Sequence, residues 1–361
     1  MKVVHLLPAL EQGGVESVVC DLVRESGIRD RGSSFAKATE DKSGIRWKSV
    51  VVSKGGRLVE RIEAAGGRHI ALDLKSKNPL TYFSRAWKLQ KILRAEKPDL
   101  VCAHSRVPAW LFAWANRGLG LRWITYAHGA NSVSRYSAVM TKGDLVVTPS
   151  RFLADYLKAN YGIPEEKIRV IPNSVDFRRF DPNNLDQAFI AEKRREWGIR
   201  EGDHVVMAIG RITPVKGLDN LIREFAAAKS DNVKLIIVGG ADKHHRKYLE
   251  SLKVLSSSLV PRPSSLIFAG QQAKIPECIS IADEVVSANT VKPETFGLSV
   301  IEAYAMNKPV RAKRFGGVAE VMEAVEKTGA SSLREAVRTL YSPELQTSRT
   351  LEVYREAVGK E

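Results

Sequence analysis

The sequence predicts an α/β protein built from two doubly wound, Rossmann-like domains. Three observations carry that reading. Short β-rich runs alternate with amphipathic helical stretches along the chain, and apolar runs of about four to six residues mark strands buried on both faces of parallel sheets. The runs fall into two series, each long enough for its own sheet, and 361 residues suffice for two domains of ordinary size. Between the series lies IPNSVDFRRFDPNN, rich in Pro, Asn and Asp, which reads as the crossing between domains near residue 173.

The first domain, 1–172, takes its strands from KVVHLL, KSVVVS, RHIALD, DLVCAH, RWITYAH, DLVVTP and KIRVIP. The second, 173–342, takes them from HVVMAIG, VKLIIVGG, SLIFAG, ADEVVSA and KPVRAK. The tail, 343–361, reads as a polar helix that packs back on the first domain. One segment fits neither period. SGIR occurs at 26–29 and again at 43–46, around the polar stretch DRGSSFAKATEDK. Removing 30–46 leaves an ordinary helix, turn and strand, so 30–46 reads as an inserted loop at a junction where added length is thermodynamically cheap.

Composition narrows the function classes. No apolar run reaches the ~18 residues of a membrane-spanning helix. The start, MKVVHLLPALEQGG, reads as a first strand rather than a signal peptide. Cys20, Cys102 and Cys278 are far apart in apolar surroundings, which fits the reduced, buried thiols of a cytoplasmic protein, and no Cys/His spacing suits zinc. The net charge of +15 sits in the first half. Residues 1–180 carry 30 Lys and Arg against 17 Asp and Glu, whereas 181–361 carry 26 against 24. A basic half favours an anionic partner: nucleic acid, an anionic lipid surface or a phosphorylated acceptor. No basic–aromatic nucleic-acid module is recognisable, which argues against nucleic acid.

The residues that could do chemistry lie at strand ends. Gly13 and Gly14 precede a helical pattern at Val15, Val18, Val19 and Leu22. A glycine pair there lets a ligand approach the backbone, although a plain tight turn fits equally well. In AIGRITPVKGLDNLI, a strand ends at Gly210, and Arg211 and Lys216 follow in the loop. A planar fork and a point charge together suit a diphosphate. In PETFGLSVIEA, Glu294 precedes a helix that begins near Leu298, and Glu302 lies about one turn inside it. The Gly297, Leu298 and Ser299 amides lie at the helix start, where they can bind hydroxyls or phosphate oxygens. The two carboxylates can then accept from the paired hydroxyls of a sugar or ribose; a loop salt bridge is the plainer alternative. RFGGVAE repeats the strand, glycine-pair and helix order, ending at Glu320. His128-Gly129 closes a strand of the first domain, a position that favours a polar or catalytic role. Finally, TYFSRAWKLQKILRAEK at 81–97 places Phe83, Trp87 and basic residues at helical spacing. That suits a membrane surface or, more simply, a sheet-covering helix with a solvated face.

Taken together, GGVE at 13–16, HG at 128–129, PSRFLADYL at 149–157, IPNSVD at 171–176, GR-x4-KG at 210–217, PETFGLSVIEA at 293–303 and GGVAE at 316–320 resemble retaining glycosyltransferases of family 4. The resemblance spans nearly the whole chain except 30–46. It implies the GT-B fold, two Rossmann-like domains facing across a cleft, and transfer of a hexose from a nucleoside-diphosphate sugar. By that resemblance Arg211 and Lys216 hold the donor diphosphate, with Gly13 and Gly14 near its phosphates. Glu302 holds the ribose, and Glu294 contacts the donor sugar beside the Phe296, Gly297, Leu298 and Ser299 backbone. His128 also reaches the sugar, so Glu294 and His128 are the candidate catalytic residues, with Glu294 either a nucleophile or a positioner. The resemblance implies no cofactor and no metal, because Arg and Lys meet the leaving diphosphate. VSANTVKPETFGLSVIEAYAMNKPV and YSAVMTKGDLVVTPSRFLADYL resemble enzymes of bacterial lipopolysaccharide core and cell-envelope synthesis. This implies a glycan or glycolipid acceptor and peripheral contact with the anionic inner face of the cytoplasmic membrane. A GT-B sugar-nucleotide epimerase and a non-catalytic nucleotide-sugar-binding relative are the alternatives. The chain departs from the family pattern after GGVAEVMEAVEKTG. The expected Gly-Leu-Val-Pro-Pro-Gly-Asp-like stretch, with the residues for a last strand, is missing.

Overall fold

All the apolar runs named above become strands, and they pair into two wholly parallel sheets. The computed structural model describes residues 1–11, 13–28, 47–228, 232–260, 262–289 and 292–359. The expected inserted loop at 30–46 lies outside these residues. The chain divides into two compact units, Met1–Ser174 with Pro343–Glu361, and Val175–Ser342.

The first unit runs β1 (Lys2–Leu6), α1 (Gly14–Ile28), β2 (Lys48–Ser53), α2 (Val59–Ala64), β3 (Arg68–Ala71), α3 (Tyr82–Glu96), β4 (Leu100–Ala103), α4 (Arg106–Ala115), β5 (Trp123–Tyr126), β6 (Leu145–Thr148), α5 (Arg151–Tyr161) and β7 (Ile168–Val170). Its sheet order is β3-β2-β1-β4-β5-β6-β7, so the winding reverses between β1 and β4. Strand periodicity sorts the core. Val4 and Leu6 of β1 face Leu89 and Phe112 on one side, and Val3 faces the layer on the other. Helix ends follow local chemistry: the Ser150 side chain accepts from the Leu153 amide to start α5, and Gly162 at φ 60° ends it.

The second unit runs α6 (Gln187–Glu196), β8 (His204–Ile209), α7 (Leu218–Ala228), β9 (Val233–Val238), α8 (Arg246–Leu259), β10 (Leu266–Gly270), α9 (Ile275–Ile281), β11 (Glu284–Ser287), α10 (Leu298–Ala305), β12 (Val310–Ala312), α11 (Gly317–Lys327) and α12 (Leu333–Tyr341). Its order is β10-β9-β8-β11-β12, with the reversal between β8 and β11. Val205 and Met207 of β8 face Val300 and Ile301 of α10, whereas Val206 and Ala208 face Leu221 and Ile222 of α7. Among the described residues no strand follows β12. Where the family pattern would supply one, α12 instead buries Ala336, Val337 and Tyr341 in the same core as α10.

The last helix, α13 (Pro343–Val358), belongs to the first unit, where Leu351, Val353 and Tyr354 pack beside Val3, Cys102 and Tyr126. The three cysteines are free and buried. Among the described residues no helix is long and apolar enough to cross a membrane.

Candidate functional site

In open parallel sheets, ligands bind beyond the carboxyl ends of the strands where the winding reverses. Each unit offers such a place, and the two differ in chemistry.

In the second unit the reversal lies between β8 and β11. A pocket there is lined by Gly210, Arg211, Lys216, Ser287, Asn289 and Ser299. Gly210 holds φ 147°, and a Cβ on the neighbouring Gly239 would collide with the Gly210 carbonyl, so glycine lets the two strand ends close up. Arg211 is exposed and has no ion-pair partner among the described residues. Lys216 ends the single 3-10 turn Pro214–Lys216, and Gly217 follows at φ 62°. Its Nζ donates to Glu294 Oε1, an ion pair that is largely buried on both sides.

Gly297, at φ 100°, leads into α10, whose first-turn Leu298 and Ser299 amides have no intrahelical acceptor. Glu302 stands half-buried one turn further. Thus the structure brings Arg211, Lys216 and Ser299 to one pocket, joins Glu294 to it through Lys216, and places Glu302 further along the helix that Ser299 begins. The Phe296 side chain is not part of this surface. It is 4% exposed and packs edge-on against Tyr341, leaving only its backbone for a ligand. Leu298 likewise leans on the core.

The glycine pair in RFGGVAE has a structural task. The Gly317 amide donates to the Glu294 carbonyl at 2.8 Å. A Cβ on Gly316 would meet Pro293 and the Glu294 carbonyl, and one on Gly317 would meet the Thr295 carbonyl. The start of α11 is therefore the bed on which the Pro293–Thr295 loop lies. Sequence reasoning also missed Asn289, which is 5% exposed and whose Oδ1 has no hydrogen-bond partner among the described residues. Its place just beyond the carboxyl end of β11 was the available signal.

In the first unit, Gly14 opens α1. A Cβ on Gly13 would collide with the Glu16 carboxylate, which folds over the helix start where the dipole favours it. His128 lies just beyond β5. Its Nε2 is 3.2 Å from His104 Nδ1, and His104 Nε2 is 3.1 Å from His5 Nδ1. The His104 ring stacks on Tyr126, with centroids 4.6 Å apart. Burial strips water from these imidazoles and disfavours their charged forms. It lowers His5 and His128 to a pKa of about 4, and His104 well below the ordinary value. All three are neutral at neutral pH. His104 was legible by the strand-end rule that singled out His128, since DLVCAH ends on His104 as TYAH ends on His128; His5, inside β1, carried no such signal.

A third feature is on the surface of the first unit. The α3 face bearing Ala86, Leu89 and Leu93 covers the sheet. Its other face exposes Phe83 (62%) and Trp87 (49%), next to Leu80 (90%), and Lys91 Nζ lies 3.6 Å over the Trp87 ring. The sheet-covering reading of 81–97 thus holds for the buried face, and the outer face leaves its aromatics and lysine exposed. A groove lined by Lys77, Tyr82, Arg85, Val107, Trp110 and Tyr136 runs alongside.

Comparison with known proteins gives a consistent answer. The family model described as Glycosyltransferase Family 4 matches residues 41–179, and the one described as Glycosyl transferases group 1 matches residues 189–340. The alpha-monoglucosyldiacylglycerol synthase of Streptococcus pneumoniae is 31% identical over 47% of this chain and 37% of its own length. The lipopolysaccharide 1,2-N-acetylglucosaminetransferase of Salmonella typhimurium is 23% identical over 67% of this chain and 62% of its own. The chain thus spans between about a third and two thirds of these curated relatives. Among solved structures, a glycosyltransferase from Rickettsia africae is similar over 100% of this chain and 99% of its own, with a TM-score of 0.81 and 25% identity. Anabaena HepE, solved with UDP and glucose, shares the fold over 98% of this chain and 99% of its own, with a TM-score of 0.78 and 20% identity.

Proposed function

The chain belongs to the family 4 glycosyltransferases with the GT-B fold, and from that premise we propose that it moves a sugar, with retention, from a nucleoside-diphosphate sugar to a glycan or glycolipid of the cell envelope. The observation that carries the reading is the second unit's pocket. There Arg211, Lys216 and Ser299 at the start of α10 line the sheet's reversal point, and Lys216 holds Glu294.

In the transfer, the bond between the sugar's anomeric carbon and the diphosphate oxygen breaks, and a bond to an acceptor hydroxyl oxygen forms. Negative charge grows on the departing diphosphate, whose oxygen takes up the hydroxyl's proton. Arg211 and Lys216 meet that charge as fixed cations, which removes the need for a metal ion. The amides of Leu298 and Ser299 add oriented dipoles at the same helix start. Glu302 accepts from the ribose hydroxyls. Glu294, already paired to Lys216, acts as a positioner that holds the lysine and accepts from the sugar, because an ion-paired carboxylate is a weakened nucleophile. In the first unit, the Glu16 carboxylate over the start of α1 screens Gly13 and Gly14 from phosphates, and His128 is the group that bonds a sugar hydroxyl.

The acceptor class rests on two supports. Relatives named above are a synthase of monoglucosyldiacylglycerol and an N-acetylglucosaminetransferase of lipopolysaccharide. The surplus of cations over anions in residues 1–180 and the exposed Phe83 and Trp87 suit the anionic cytoplasmic face of a membrane.

The test is a thermal-shift panel of UDP-, GDP- and ADP-sugars on the wild-type chain and on Glu302→Ala. One nucleotide class should raise the wild-type Tm, with a shift that shrinks in the variant. If no nucleotide sugar stabilises the wild type, the donor-site reading is wrong.

A further inference from the structure

The proposed mechanism gives His128 a bond to a sugar hydroxyl but leaves two neighbouring histidines without a task. His5 lies within β1, opposite Cys102 of β4, and His104 follows β4. The His5–His104–His128 series therefore crosses the first sheet at the point where its winding reverses, stepping from β1 to β4 to β5. His5 is fully buried and His104 nearly so. Each contact uses one nitrogen of each ring: Nδ1 of His5 with Nε2 of His104, then Nδ1 of His104 with Nε2 of His128.

A neutral imidazole carries one N–H and one lone pair. Three in series must therefore all point the same way, because any reversal sets N–H against N–H or lone pair against lone pair. Two polarities remain. In one, every Nδ1 carries the proton, and His5 donates to His104, which donates to His128. In the other, every Nε2 carries it, and donation runs inward from His128.

The buried end decides between them. His5 Nε2 has no hydrogen-bond partner among the described residues. Inward donation would leave an N–H there, buried and unanswered. Outward donation leaves only a bare lone pair, the less costly orphan in protein interiors. Burial of the rings keeps the series neutral, so a doubly protonated member does not break the rule.

We infer that His5 and His104 are positioning residues that fix His128 in its Nδ1–H tautomer, so that His128 meets its ligand as a hydrogen-bond donor to an oxygen and not as a proton-accepting base. The geometry of the series stands on its own. Its use on a sugar hydroxyl rests on the donor-site reading above. The same logic orients a catalytic imidazole through a third group in other enzymes.

The chain holds seven histidines, few enough for a direct measurement. The full-length protein is labelled with 15N-histidine, and long-range 1H–15N correlation spectra at neutral pH report which nitrogen of each ring is protonated. His5, His104 and His128 should all show the Nδ1–H pattern; an Nε2–H pattern at His128 overturns the inference. In His104→Phe, which keeps an aromatic ring but removes both contacts, the fixed tautomer of His128 should be lost. In His104→Asn, whose amide places a donor near the former Nδ1, it should return. An unchanged His128 tautomer in His104→Phe also refutes the relay.

Turnover adds the second readout. His104→Phe should lower kcat about tenfold, the size of one hydrogen bond lost in the transition state, with a smaller change in donor KM, and His104→Asn should recover much of it. Equal losses in both variants would mark a merely structural role. Because the wild-type spectrum needs no substrate, a chain that shows the expected tautomers yet binds no nucleotide sugar separates failure of the donor-site reading from failure of this one.

Discussion

The two units build nearly the same object and then treat charge in opposite ways. Each is a parallel sheet whose winding reverses beside its first strand, with helix starts and glycines at the strand ends. In the second unit the surplus of cations is small, 25 Lys and Arg against 21 Asp and Glu over 175–342, yet Arg211, Lys216 and Glu294 are concentrated around the reversal point. In the first, the surplus of lysine and arginine is large, yet the reversal point holds two buried imidazoles and a half-buried one, all kept neutral by loss of water. On the proposed reading, the fold fixes where a ligand can sit, and the residues at the strand ends decide whether that place neutralises charge or reads hydroxyls.

The sharpest way to break this contrast is to remove a fixed charge from the charged pocket. Lys216→Ala should cut kcat about 10²- to 10³-fold, the scale on which one preorganised donor to developing negative charge acts. It should also leave Glu294 without its partner. Steady-state kinetics with the nucleotide class found in the thermal-shift panel measures it. A change confined to KM would place Lys216 in ground-state binding only.

The neutral site makes the opposite prediction, about pH and stability. His5 and His128 have folded pKa values of about 4, below the ordinary 6.5. Below pH 6.5 the unfolded chain takes up protons that the folded chain refuses. Stability should therefore be full above about 6.5 and fall toward pH 4, by up to ~1.4 kcal/mol per pH unit for each such imidazole. The neighbouring Cys102 thiol, pushed up to about 12, and the Tyr126 and Tyr354 hydroxyls, pushed upward, stay neutral throughout this range. Urea melts at pH 7, 6 and 5 should show this slope, and His5→Phe should flatten it. A slope that His5→Phe leaves untouched would mean His5 is protonated in the folded protein.

Both sites depend on backbone packing as well as side chains, and the glycine bed under the Pro293–Thr295 loop tests that. Gly317→Ala sets a methyl against the Thr295 carbonyl and should cost about 1–3 kcal/mol, as overpacking does. Because the displaced loop carries Glu294, the nucleotide-sugar thermal shift should fall as well. A variant that loses stability but keeps the full shift would show that the bed supports the fold and not the pocket.

These contrasts were unevenly legible in the sequence. Strands buried on both faces are written as apolar runs, so VKLIIV and DLVVT could be read directly, and the cations of GR-x4-KG could be placed because a strand end precedes them. Relations between distant residues were not written that way. Lys216 and Glu294 are 78 positions apart, and nothing local says that they pair. The closeness of Gly316 and Gly317 to Pro293–Thr295 exists only once β11 and β12 lie side by side. Phe296 sits in a motif full of binding residues, yet its ring packs against Tyr341, from a helix the family pattern did not lead one to expect. The histidine series needed the β1–β4–β5 adjacency, which composition cannot reveal.

The smallest expected effect on the folded protein sharpens where the first unit keeps its charge. Phe83 and Trp87 project from the outer face of α3 with Lys91 beside them, while Leu89 and Leu93 of the same helix are buried. Replacing both aromatics, Phe83→Ser with Trp87→Ser, removes exposed apolar surface, so stability should change by no more than about 0.5 kcal/mol for each. Transfer to a water-soluble acceptor analogue should be unchanged, because neither residue belongs to the strand-end sites. Binding to vesicles containing anionic lipid should weaken several-fold, and raised salt should weaken the remainder, since screening acts on the lysines and not on the rings. Co-sedimentation with anionic and with neutral vesicles measures both parts. Equal binding of wild type and variant to anionic vesicles would show that the basic surface acts without its aromatics, and would confine the role of Phe83 to covering Trp114 and that of Trp87 to holding Lys91.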